Sequence, residues 1–154
     1  MVDVGGKATA VLEFRERPEL YVCSSGEGLG ELISGSKVVS KGRDFVLLME
    51  YDPSLVKRML PAFINARLRT ADGISRSRST QMEMLLLVCG TMNIGKALRE
   101  RGVKDPKKFM VFATCHSVFR KFASGNDIRA IRKIALKLDE DAAGDVALTE
   151  LSDK

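Results

Sequence analysis

The chain has 154 residues, 45% of them hydrophobic and 29% charged, with a formal net charge of +5. That length suits one domain with a substantial core, and the composition is ordinary for a globular protein facing water. No apolar run approaches the roughly 20 residues of a membrane helix, and MVDVGGKATAVLEF lacks a signal-peptide layout, so a cytoplasmic protein with no membrane partner is expected.

The charge is unevenly spread. Residues 139–154, DEDAAGDVALTELSDK, hold six acids and one lysine, which leaves +10 on residues 1–138. The expected organisation is a single domain over 1–138 and an acidic tail over 139–154. A basic body points to a polyanion or to an acidic protein surface. Cys23, Cys89 and Cys115 are odd in number, far apart and without C-x-x-C spacing. Neither a disulfide framework nor a metal site is expected from them.

In chain order, ATAVLEF (8–14) and LYVCS (20–24) read as short strands around the charged turn RERPE. GEGLGELISG (26–35) fits neither phosphate-loop pattern and reads as a loop. KVVS and DFVLLMEY (44–51) continue as strand. Asp52 then supplies an N-cap and Pro53 a first helical residue. Leu55, Met59, Ala62 and Ala66 form the inward stripe of that helix, and Pro61 should kink it or split it. Arg58, Asn65 and Arg69 form a narrow polar strip on the opposite side.

After an ADGIS loop, Thr80 and Glu83 have capping-box spacing ahead of MEMLLLVCG, a buried helix ending at Gly90. MNIGKALRER should bury Ile94, Ala97 and Leu98, expose Lys96, Arg99 and Glu100, and stop at Gly102. KKFMVFATC (107–115) reads as a strand and HSVFRKFAS as a short helix. NDIRAIRKIALKL reads as a last helix, with Ile128, Ile131, Ala135 and Leu138 inward and Arg129, Lys133 and Lys137 outward. Few strands, not alternating regularly with helices, predict a compact α+β domain: helices packed on a small, mostly antiparallel sheet.

Little here suggests catalysis. His116 is the one histidine, and its neighbour Cys115 is poorly placed to act with it as nucleophile and base. Glu83 is more simply a helix-cap carboxylate than a buried general acid. No enzyme, cofactor, metal or small-molecule substrate is expected. The basic stretch INARLRTADGISRSRST (64–80) carries Arg67, Arg69, Arg76 and Arg78, residues whose planar forks suit phosphate oxygens. Aromatics make up only 6% of the chain, which argues against a long stacked single strand.

Residues 52–105 also carry an ordered set of positions. Ala62 and Ala66 flank Asn65. Ile74 and Ser75 lie in the basic loop, then Glu83, Leu85 and Leu86 lead to Gly90, and Ile94 and Ala97 to Gly102. This set resembles the kinase-binding subunits of the KEOPS (EKC) complex, the TPRKB or PRPK-binding protein family. It departs from that pattern at Asn93, where Gln is frequent, and around Pro61, where the first helix often carries His. The resemblance implies a non-catalytic subunit that binds the small atypical kinase of KEOPS. It also implies recruitment of tRNA, partly by its 3′ CCA end, for threonylcarbamoyladenosine modification at position 37. On that reading Arg67, Arg69, Arg76, Arg78, Lys96 and Arg99 are the expected tRNA contacts. Ile74, Met82, Met92 and Ile94 are the expected kinase contacts. A stand-alone RNA-binding module without a kinase partner is the alternative.

Overall fold

The segment FMVFA at 109–113 has no polar side chain on either face, so a strand built from it needs cover on both sides of its sheet. The computed structural model describes residues 16–26, 40–41, 43–71 and 80–136 and provides that cover. The strands are β1 (Glu19–Ser25), β2 (Ser40–Lys41), β3 (Asp44–Glu50), β4 (Phe109–Ala113) and β5 (Ile128–Ile134). They lie in the order β2-β3-β4-β1-β5, and every described pairing is antiparallel. The described helices are α1 (Val56–Ala71), α2 (Thr80–Cys89), α3 (Ile94–Arg101) and α4 (His116–Gly125). The fold is α+β, as the sequence predicts.

Alternate residues of the central strands feed two separate cores. On one side Leu20, Phe45, Leu47, Met49, Met110 and Phe112 meet Met59, Phe63 and Ala66 of α1, the apolar body of α2, and Ala97 of α3. On the other side Tyr21, Cys23, Val46, Val111 and Ala113 meet Val118, Phe119 and Phe122 of α4. The Tyr21 and Phe119 rings stack with centroids 4.0 Å apart. The described helices thus cover both faces of the sheet: α1, α2 and α3 on one, α4 on the other.

The start of α1 follows its local chemistry. Asp52 Oδ1 accepts from Ser54 N at 3.0 Å and from Ser54 Oγ at 2.7 Å, capping a single 3-10 turn at Pro53–Leu55. The helix then runs unbroken through the buried Pro61, so the proline does not split it. Asn65 Nδ2 donates to the Pro61 carbonyl at 2.9 Å.

The segment expected as a last helix is instead strand β5, hydrogen-bonded along β1 from Ser25↔Ile128 to Leu20↔Ile134. Two physical reasons stand out. Asp127 takes a left-handed backbone, φ 53°, which ends the α4 connection and reverses the chain. The register also slips between Val22 and Cys23, leaving Ile131 as an extra, outward residue. That bulge breaks the two-residue alternation, so the isoleucine spacing imitates a helix. Ile128 is buried as expected, whereas Ala135 is exposed. Residues 137 and 138 lie outside the described residues, as do the expected strand at 8–14, all but Gly26 of the loop at 26–35, and the acidic tail.

No described helix is long and apolar enough to cross a membrane. Cys23, Cys89 and Cys115 carry free thiols, and burial pushes the Cys23 and Cys89 thiols up to about 12.

Helix α2 ends at Gly90, whose φ of 74° lies in the left-handed region. The Gly90 and Thr91 amides both return to the Leu86 carbonyl, at 3.0 and 3.2 Å. Replacing Gly90 with Ala should lower stability by about 1–2 kcal/mol, the usual cost of a Cβ in that conformation. Urea unfolding of the variant checks this, and an unchanged midpoint would show that the turn relaxes.

Candidate partner-binding surface

Helices α1 and α2 run antiparallel, and arginines of α1 bind both ends of α2. Arg58 donates from Nε to the Val88 carbonyl at 2.9 Å and from Nη2 to the Leu87 carbonyl at 2.8 Å. These are last-turn carbonyls with no partner inside the helix, and a cation there also meets the negative end of the helix dipole. Near the start of α2, Arg69 Nη1 lies 2.6 Å from Glu83 Oε2. Arg69 is 5% exposed and Glu83 is fully buried. The two arginines of the polar strip therefore face α2, and Asn65 turns back onto the Pro61 carbonyl of α1 itself.

Arg67 is equally internal, at 9% exposure. Its fork holds Glu16 through two bonds, 2.6 and 2.9 Å, and Nη2 also reaches the Arg43 carbonyl at 2.6 Å. The guanidinium lies over the Phe63 and Phe45 rings, 5.0 and 5.5 Å from their centroids. Arg67 and Arg69, expected as tRNA contacts, are thus structural ion-pair residues with no face to offer a phosphate. Glu83 also departs from expectation. Thr80 is already the first residue of α2, and its hydroxyl bonds Thr70 Oγ1 at 3.2 Å, while the Glu83 carboxylate is taken by Arg69.

Helix α3 carries the expected contacts that are accessible. Asn93 caps it, its Oδ1 accepting from Lys96 N at 2.9 Å. Its last turn is pinned by Arg101, whose Nη1 bonds Glu50 Oε2 at 2.9 Å and Asp52 Oδ2 at 2.8 Å. Ala97 faces the core. Lys96 and Arg99 are exposed and have no acidic partner among the described residues. Ile94 is 38% exposed and Leu98 47%, so the expected burial of both does not occur. At about 100° per residue, the Ile94–Leu98 pair and the Lys96–Arg99 pair point roughly 150° apart around the helix.

Met82 and Met92 are half-buried and pack against the core of α1 and α2, offering only part of their surface. Arg76, Arg78 and Ile74 lie outside the described residues. Leu98 is the residue that sequence reasoning missed. Its spacing of four from Ile94, itself an expected kinase contact, was the available signal.

A second polar cluster lies across the sheet, beside α4. Glu19 accepts from Tyr21 Oη at 2.7 Å and Lys133 Nζ at 2.9 Å, and its Oε1 lies 2.9 Å from His116 Nδ1. Burial works to raise the Glu19 carboxyl. The hydrogen bonds from Tyr21, Lys133 and His116 outweigh it and bring the carboxyl down to about 2. Cys115 Sγ turns instead to Ser117 Oγ, 3.7 Å away. Among the described residues, no His, Cys, Asp and Glu side chains gather into a metal-binding group.

The chain matches no protein-family model and no curated protein.

The buried pair yields one prediction. Removing one partner of a buried ion pair costs about 3–5 kcal/mol, whereas replacing both with apolar groups can be neutral. Glu83→Ala should therefore destabilise by that amount in urea unfolding, and Arg69→Met with Glu83→Leu should recover most of it. A double variant as unstable as the single would refute the assignment.

The Glu19 cluster yields another. Its carboxyl binds protons less readily folded than unfolded, so its stabilising effect is fully present above about pH 4.5 and lost as pH falls toward 2. Glu19→Gln should be less stable at pH 7 and lose less stability than wild type between pH 4.5 and 2. Equal acid sensitivity in the two proteins, by urea midpoints, would exclude Glu19 as its source.

Proposed function

We propose that the protein is a non-catalytic subunit of a KEOPS-type complex. It binds the small atypical kinase of that complex and recruits tRNA, through its 3′ CCA end, for threonylcarbamoyladenosine modification at position 37. The support is a resemblance joined to one structural observation. Residues 52–105, which carry the family likeness, include α3, and α3 exposes an apolar pair, Ile94 and Leu98, apart from a cationic pair, Lys96 and Arg99. A helix with two exposed faces of different chemistry suits two partners. The apolar pair fits a protein partner, where fully desolvated aliphatic contacts supply binding energy. The cationic pair fits a phosphate backbone.

Burial revises the contacts. The proposed tRNA side comprises Arg76, Arg78, Lys96 and Arg99, without Arg67 and Arg69. The proposed kinase side comprises Ile94, Ile74 and Leu98, with Met82 and Met92 as partial contributors.

Two measurements test the reading. Ile94→Asp with Leu98→Asp should abolish co-purification with a KEOPS-type kinase at micromolar concentration while leaving the thermal melt unchanged. Arg76→Glu with Arg78→Glu should weaken tRNA binding and flatten its salt dependence by about 0.7–0.9 per lost phosphate contact. Wild-type protein that forms no kinase complex would overturn the subunit reading, and tRNA binding without that complex would favour a stand-alone RNA-binding module. Equal affinity for tRNA with and without CCA would overturn 3′-end recognition.

A further inference from the structure

Among the described helices, α4 alone covers its side of the sheet, and its outward face has a composition unlike its inward one. Val118, Phe119 and Phe122 are buried against β1, β3 and β4. Ser117, Arg120, Lys121 and Ser124, spaced i, i+3, i+4 and i+7, share the opposite face. These four line an open surface hollow of about 310 Å³. That is the low end for a ligand cleft, and it opens to solvent instead of enclosing a small molecule.

Neither cation there is engaged by another of the described residues. Elsewhere Arg43 and Arg67 pair with Glu16, Arg69 with Glu83, Arg101 and Lys104 with Glu50, and Lys133 with Glu19. Lys57, Lys96, Arg99, Lys107 and Arg129 are also exposed without an acidic partner among the described residues. Neither Arg120 nor Lys121 has an acidic partner among the described residues, and α4 itself contains no acid. Ser124 Oγ donates to the Lys121 carbonyl at 3.3 Å, which leaves its lone pairs free to accept, and among the described residues Ser117 makes only the long contact to Cys115. A guanidinium fork, an ammonium and two hydroxyls on one helix face are the side-chain types that hold phosphate oxygens.

We propose that this face of α4 is a second phosphate-contact surface for RNA, on the opposite side of the sheet from α3. The choice of RNA rests on the tRNA reading above; the choice of its backbone rests on the face itself. Among the described residues no aromatic lines the hollow, so bases have nothing to stack on. No apolar side chain among them lines it either, whereas a protein interface centres on an apolar anchor, and two cations fall short of the cluster of about 4–8 that marks an anionic membrane contact. The contact is therefore sequence-independent and additive to recognition of a tRNA end.

The test is tRNA binding by fluorescence anisotropy across a salt titration, with wild type, Arg120→Glu/Lys121→Glu and a control reversal, Lys57→Glu/Lys107→Glu. Thermal melts establish that all three fold. The α4 reversal should weaken binding at least about tenfold at low salt and make the log–log salt slope shallower by about 1.5, two contacts' worth. Arg120→Gln/Lys121→Gln should fall between. The same loss should appear with tRNA lacking CCA. A control reversal that weakens binding equally would reduce the effect to net charge and overturn the proposal. So would an α4 reversal that leaves tRNA affinity intact, with the tRNA reading itself still standing. If that reversal instead removes binding to phosphatidylserine vesicles, the face serves a membrane and the proposal falls. Wild type that fails to bind tRNA at all overturns both readings together.

Discussion

The antiparallel pairing of α1 and α2 depends on where the arginines of α1 go. Arg58 reaches the last carbonyls of α2, and Arg69 reaches Glu83 in its first turn. One helix therefore fixes both ends of its neighbour. Apolar packing alone would leave α2 free to slide or rotate, because MEMLLLVC is apolar almost all the way round and specifies no single inward stripe. Polar pairing supplies what the hydrophobic pattern lacks: direction. Hydrogen bonds to specific carbonyls and an ion pair with one carboxylate form in one register only, and any other leaves a buried charge without its partner.

Arg67 extends the same logic to the sheet. Its fork ties Glu16 and the Arg43 carbonyl to α1, and its flat face rests on Phe45 and Phe63. Lysine could not replace it, since one ammonium lacks both the two-pronged bond to a carboxylate and the planar contact with rings. Net charge read from the sequence thus overstates the charge available to a partner. Arg58, Arg67 and Arg69 all serve the interior, whereas Lys96 and Arg99 of α3 and Arg120 and Lys121 of α4 are among the cations that face solvent without an acidic partner among the described residues.

What the sequence showed followed from how local the relevant chemistry is. The start of α1 was legible because Asp52 and Pro53 act within one turn. Gly90 as a stop was legible because only its own φ is at stake. Strands β1, β3 and β4 announce themselves by apolar content. Strand β5 did not, because a bulge at Ile131 shifts its alternation and only its partner β1 reveals the register. The arginines were misplaced for a related reason. Arg67 finds its carboxylate 51 residues away, and nothing near either residue signals the meeting. Leu98 was misread because a short amphipathic helix with one buried alanine looks, by spacing alone, like one with three buried residues.

The exposure of Ile94 and Leu98 has a physical cost that the surroundings of α3 offset. Eight residues are too few for a helix to hold itself in water, so tertiary contacts and caps must hold it. Asn93 caps its start, the short side chain reaching the Lys96 amide. At the other end Arg101 joins Glu50 and Asp52, and Asp52 also caps the start of α1. Hydrogen bonds from Ser54, working against partial burial and helped by Arg101, hold the Asp52 carboxyl below its usual range and keep it charged for both roles. The core needs only Ala97 from this helix. The remaining faces are thereby released from packing, and α3 can present an aliphatic pair and a cationic pair without loosening the fold behind them.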